Sequence, residues 1–189
     1  MKQRHGFVSN SSSSAFILVF PKVPEIVKEM EELLFGDELY VEHPYKDLHP
    51  ACEKFSTKEI AAIVLHDITH KPPALPLSRH DDAGHIETIH DLENIVRDGW
   101  LNKYEGIVAP KMEWNYDPNE TDADRDKRYK EHDKAMDEFA DKVAKKILKK
   151  WPLKHLYRVE YADEDGDLGS TMEHGEIFNK IPHIRISKH

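Results

Sequence analysis

Ser11-Ser12-Ser13-Ser14-Ala15-Phe16-Ile17-Leu18-Val19-Phe20 is the stretch on which the fold turns. Its second half is apolar at every position. A strand with one wet face alternates apolar and polar side chains, whereas a strand covered on both faces has no such alternation. The run therefore predicts a central β-strand over about 15–20, with apolar material on each side of it. The serines that abut it need a role of their own. A solvated tail has no physical reason to enter a core strand directly.

Downstream, Pro21 and Pro24 punctuate the strand, and Ile26, Val27, Met30, Leu33 and Leu34 recur at helical spacing before Gly36. Residues 37–55, broken by Pro44 and Pro50, read as a loop. Ser56 and Glu59 form an S-x-x-E capping signal for a helix whose run Ile60-Ala61-Ala62-Ile63-Val64-Leu65 is apolar all round, and Lys71-Pro72-Pro73 ends it. Thr88 opens another helix, with Ile89, Leu92, Ile95, Val96 and Trp100 on one face.

The longest predicted element runs from about 123 to 151, roughly 40 Å at 1.5 Å per residue. Asp122, Asp124 and Asp126 stand at its start and Lys145, Lys146, Lys149 and Lys150 at its end, matching the helix dipole. Its apolar stripe (Met136, Phe139, Val143, Ile147, Trp151) occupies only the C-terminal half, so the charged N-terminal half is expected to project from the body. Tyr157, Val159 and Tyr161 alternate with Arg158 and Glu160, which predicts a half-exposed strand over about 156–162. Ser170 and Glu173 read as a second capping box for a short helix to about Asn179, and Ile184 and Ile186 mark a last strand over about 183–188. The sum is a single α+β domain over 1–189: a small sheet covered by helices.

The composition narrows the function classes. A formal charge of −9 argues against a chain that tracks phosphates, because that affinity comes from Lys and Arg. An acidic surface suits a protein partner instead. The single cysteine, Cys52, permits no internal disulfide and fits a reducing cytoplasm. Lys2 and Arg4 before an apolar stretch imitate a leader peptide, but the stretch is stopped by Pro21. No segment reaches the ~20 apolar residues that a membrane helix needs. The expectation is a cytoplasmic protein.

The N-terminal element Gly6-Phe7-Val8-Ser9-Asn10-Ser11-Ser12-Ser13-Ser14-Ala15-Phe16 resembles the opening of many uncharacterised small proteins of bacteriophages and bacteria. The resemblance covers about a dozen residues and implies no activity. It places the chain among phage-type or mobile-element accessory proteins, acting in the host cytoplasm if phage-encoded.

Three groups of residues can carry chemistry. Ser11, Ser12, Ser13 and Ser14 can form an anion-binding nest with successive backbone N–H groups, or be targets of modification; equally, their hydroxyls can satisfy backbone groups where the strand enters the fold. His66 and His70, four apart with Asp67 after the first, resemble the H-E-x-x-H metal helix of zinc proteases. Asp67 is one methylene shorter than the glutamate of that motif, and His85, Glu87 and His90 fit no strict third-ligand spacing. About one such His pair is expected by chance among 13 histidines in 189 residues. Asp163, Asp165 and Asp167, with His174 beyond them, can converge on a divalent metal from a loop, although Asp165-Gly166 is also an ordinary turn signal. If that loop meets the entrance of the first strand, serines, carboxylates and histidines share one pocket. No P-loop, dinucleotide fingerprint, nucleophile elbow or paired C-x-x-C is present. Two readings follow: an accessory protein that binds a macromolecular, most naturally protein, partner, or a metal-dependent hydrolase with a His/Asp site.

Overall fold

The computed structural model describes residues 13–47, 54–72, 74–78, 83–99, 101–111 and 120–188. Strand β1 (Ser13–Val19) lies inside a four-stranded antiparallel sheet. Across that sheet the order is β4 (Gly84–His85), β7 (Leu156–Ala162), β1 and β8 (His183–Lys188). Phe16, Leu18 and Phe20 face a core supplied by α1 (Val27–Phe35), α2 (Thr57–Thr69) and residues of α5 (Gly166–His174) and the segment after it. Ala15, Ile17 and Val19 face a second core built from α3 (Ile89–Asp98) and α4 (Asp122–Lys150). The unbroken apolar run has its explanation in these two cores: helices cover the sheet on both sides.

Caps fix the starts of α2 and α3 as the sequence signals, and that of α4 through a pair the sequence reading does not single out. Ser56 Oγ accepts the Glu59 N–H at the start of α2, and Thr88 with Asp91 and Thr121 with Asp124 close full capping boxes on α3 and α4. In α4 the buried side chains begin only at Phe139 and end at Ile147.

Three expectations need correction, and one hairpin stands where the sequence reading places no element. The stretch 37–55 contains strand β2 (Tyr40–Glu42), which pairs with β3 (Lys54–Ser56). A hairpin of β5 (Lys103–Tyr104) and β6 (Ile107–Val108) turns through Glu105-Gly106, both at positive φ, as a tight primed turn requires. Glu105 is then held by Lys146 and Lys150 of α4. Strand β7 is not half-exposed: flanked by β4 and β1 and covered on both faces, it buries Glu160 as well as Val159 and Tyr161. Finally, α5 begins at Gly166, so Ser170 and Glu173 stand inside it rather than capping it. Gly169 permits the early start. A Cβ there would lie 2.3 Å from the carbonyl of Ala162, so only glycine lets the helix fold straight back against the end of β7.

Candidate functional site

Pairing brings together the chain segments that carry most of the candidate residues. Ser13 stands opposite Ala162 on one side and Lys188 on the other, so the entrance of β1, the start of the acidic segment and the last strand share one end of the sheet. There Ser13 Oγ donates to Glu160 Oε1 at 3.3 Å, and Ser14 Oγ donates to Glu173 Oε1 at 3.0 Å. The two glutamates lie on opposite faces of the strand, each beside an arginine. Arg158 Nη2 is 3.3 Å from Glu160 Oε2; Arg185 donates its Nε to Ser14 Oγ at 3.1 Å and holds Nη2 3.8 Å from Glu173 Oε1. His174 completes the cluster, with Nδ1 3.1 Å from Arg185 Nη2 and Nε2 3.3 Å from Glu173 Oε2. Its ring also meets Tyr45, whose neighbour His43 faces Asp167 at 3.9 Å.

This geometry gives Ser13 and Ser14 a definite task. Their hydroxyls satisfy two carboxylates that are 3% and 1% exposed, and an unsatisfied carboxylate at that depth would be costly. Ser14 is itself fully buried, and a second anion placed beside it would face Glu173. Ser11 and Ser12 lie outside the described residues, as do Lys2, Arg4, His5 and Cys52.

The metal candidates are placed differently from the expectation. Helix α2 ends at Thr69, and His70 follows it in the left-handed region at φ 55°, so His66 and His70 do not stand on one helical stripe. His66 Nδ1 is 2.7 Å from the carbonyl of Lys71. Asp163 and Asp165 belong to a short 3-10 turn rather than an open loop, and Asp167 to the first turn of α5. Among the described residues no three His, Cys, Asp or Glu side chains gather as a metal ion needs.

Asp67 has a role the motif hides. Its buried carboxylate accepts from Tyr161 Oη at 3.0 Å and from the backbone N–H groups of Leu77 and Ser78, each at 3.2 Å. Ser78 Oγ in turn accepts the Glu160 N–H at 3.1 Å. One carboxylate thus ties α2, β7 and the segment 74–78 together. Burial raises the Asp67 pKa above the ordinary carboxylate value, opposed by the hydrogen bonds from Tyr161, Leu77 and Ser78. Burial, and then the neighbouring Asp67, push the Tyr161 hydroxyl well above its usual value.

A second polar region lies at the β4 edge. A cleft of about 550 Å³ opens between the end of α2 and the start of α3, lined by Ile68, Ala83, Ile86 and Ile95 and by His70, His85, Glu87, Asp91, Asn94 and Arg158. Gly84, at φ 137°, keeps it open: a Cβ there would press on His70 Nε2 at 3.3 Å. By spacing alone His70, His85 and Glu87 are poor metal ligands; the fold makes them neighbours around a cavity.

Comparison of the chain with family models, with curated proteins and with solved structures returns no match. No helix among the described residues is long and apolar enough to cross a membrane.

Proposed function

We propose that this chain is an accessory protein of phage or mobile-element type that works by binding a protein partner through the N-terminal half of α4. The observation that supports this reading is the helix itself. From Asp122 to Glu138 it fully buries no side chain and only Met136, near its end, packs against the core, yet it is capped and laced by ion pairs such as Arg128 with Glu120 at 2.9 Å and Lys127 with Glu131 at 4.0 Å. A helix that is polar all round contributes little to a core. Its use is in what it presents.

The chemistry presented is mixed. Residues 122–138 carry seven acidic and five basic side chains, too balanced to follow a phosphate backbone. Tyr129 is exposed, with the Arg128 guanidinium 5.8 Å from its ring centre. Tyrosine and arginine are the residue types that most often anchor protein interfaces. A protein surface with interleaved charges is the matching partner.

The test is charge reversal at Asp126 and Glu131, followed by capture from a host extract. Asp124 is left intact because it caps the helix. The variant keeps its helical circular dichroism and loses a partner that the unaltered chain retains; unchanged capture sinks the reading. The metal-hydrolase alternative has no comparable observation behind it, since no ligand set gathers among the described residues.

A further inference from the structure

The cleft at the β4 edge differs from the buried polar cluster at the entrance of β1 in one respect. Among the described residues, the side chains of His70, His85, Glu87 and Asn94 make no hydrogen bond or ion pair with the rest of the protein, although all four line the same cavity. Among the described residues the His85 side chain has only a ring contact with Tyr157, at 5.3 Å between centres. Isolated polar side chains of this kind are ordinary on an open surface. Four of them around one concave space, above an apolar floor, are the composition of a ligand site.

The charge around the cavity selects the ligand. Among the described residues, Arg158 alone of the lysines and arginines lines it, and Glu160 sits against that guanidinium at 3.3 Å. Glu87 and Asp91 bring two further carboxylates. Asp91 uses Oδ2 to accept the Thr88 N–H at 2.8 Å, while Glu87 has no partner among the described residues. Among the described lining residues the balance is acidic. Asn94 adds an amide carbonyl, and a neutral imidazole offers one acceptor nitrogen. Carboxylates, an amide oxygen and imidazole nitrogens are jointly suited to a group that donates several hydrogen bonds and carries positive charge. An ammonium does both. Ile68, Ala83, Ile86 and Ile95, only 2–7% exposed, close the bottom of the cleft with apolar atoms for an alkyl stem to meet, and the volume falls within the few hundred Å³ usual for small-molecule pockets.

We infer that this cleft binds a small aliphatic amine, with its ammonium against Glu87 and Asn94 and its stem along Ile68, Ile86 and Ile95. The inference concerns a different surface from α4 and stands or falls apart from it.

The experiment is titration of the full chain, isotope-labelled at isoleucine methyls, with hexylamine, and with hexanoate and hexanol as probes of the same stem and different head. Hexylamine should shift the Ile68, Ile86 and Ile95 methyl signals and saturate with a Kd of about 1 mM or tighter. Glu87→Gln should weaken that binding about tenfold with no change in melting temperature, because Glu87 is exposed and bonds nothing described around it. A lysine-containing peptide that binds more tightly than hexylamine overturns the small-molecule assignment, since the ammonium is then read on a protein. Equal or tighter binding of hexanoate or hexanol, or shifts that do not saturate, overturns the inference outright. So does Glu87→Gln binding hexylamine as well as the unaltered chain.

Discussion

Two polar regions of this protein use the same residue types to opposite ends. At the entrance of β1, Ser13, Ser14, Glu160, Glu173, His174 and Arg185 are tied to one another. At the β4 edge, His70, His85, Glu87 and Asn94 face a common cavity and bond to nothing described around them. The first arrangement is what low-dielectric burial demands: a carboxylate taken from water must find donors, and it finds serine, arginine and histidine. The second keeps its hydrogen-bonding capacity toward open space. Polar residues therefore do not mark a site by their identity. What distinguishes a site is capacity that the fold leaves unsatisfied in a concave place.

The difference is measurable as stability against binding, and the largest effect belongs to the buried cluster. Glu173→Ala removes a carboxylate that is 1% exposed and leaves the Ser14 hydroxyl and the Arg185 guanidinium without it. A loss of about 3–4 kcal/mol is expected, read from urea unfolding, because the buried Ser14 hydroxyl loses its acceptor and the ion pair with Arg185 goes with it. A loss under about 0.5 kcal/mol, the size of an ordinary surface substitution, would break the contrast at its root.

Asp67→Ala comes next, at about 3 kcal/mol, because the Tyr161 hydroxyl and two backbone N–H groups lose their acceptor together. Asp67 also carries a pH signature. Burial raises its folded-state pKa, so the native state holds the proton more tightly than the unfolded chain. Between the ordinary carboxylate value and the raised one, the native state binds more protons, and stability falls as pH rises. The contribution is complete below the unfolded value and is lost as pH passes the folded one. Denaturation of the unaltered chain and of Asp67→Asn at a series of pH values isolates it. The advantage of the unaltered chain should shrink as pH rises through that window, and a constant difference would contradict the assignment.

Ser14→Ala is smaller, about 1 kcal/mol or somewhat more, since one neutral donor to a buried carboxylate is lost while Arg185 remains near it. It also separates two meanings of the serine tract. A structural hydroxyl affects melting in purified protein; a modification target at this position would change mass instead, and its burial argues for the former.

How far the sequence discloses all this follows from what determines each feature. The run Ala15–Phe20 is legible on its own, because a strand apolar on both faces requires two covering layers and the structure has two cores. The long helix is equally legible, from the aspartates at its start, the lysines at its end and a stripe that starts only at Met136. Strand β7 misleads, because alternation of Arg158 and Glu160 with apolar residues looks the same whether the polar face meets water or a serine of the neighbouring strand. That distinction depends on Ser13, 147 residues away along the chain. His66 and His70 mislead for a local reason: the helix ends one residue before the pair is complete. The cleft is invisible in the sequence because its lining comes from α2, β4, α3 and β7, and only tertiary pairing assembles them.

The smallest expected effect is also the sharpest test of the contrast. Glu87→Gln should change unfolding by no more than about 0.5 kcal/mol, because an exposed carboxylate with no partner among the described residues has no native interaction there to lose. The same substitution should weaken hexylamine binding about tenfold, since it removes the charge while keeping the shape and one acceptor. A buried, satisfied carboxylate behaves the other way: Glu173→Gln should lower the melting temperature and leave amine binding unchanged in the folded protein. If both substitutions moved stability and neither moved binding, the β4 edge would be another piece of scaffold. The crossed pattern, stability at Glu173 and binding at Glu87, is what the two geometries require.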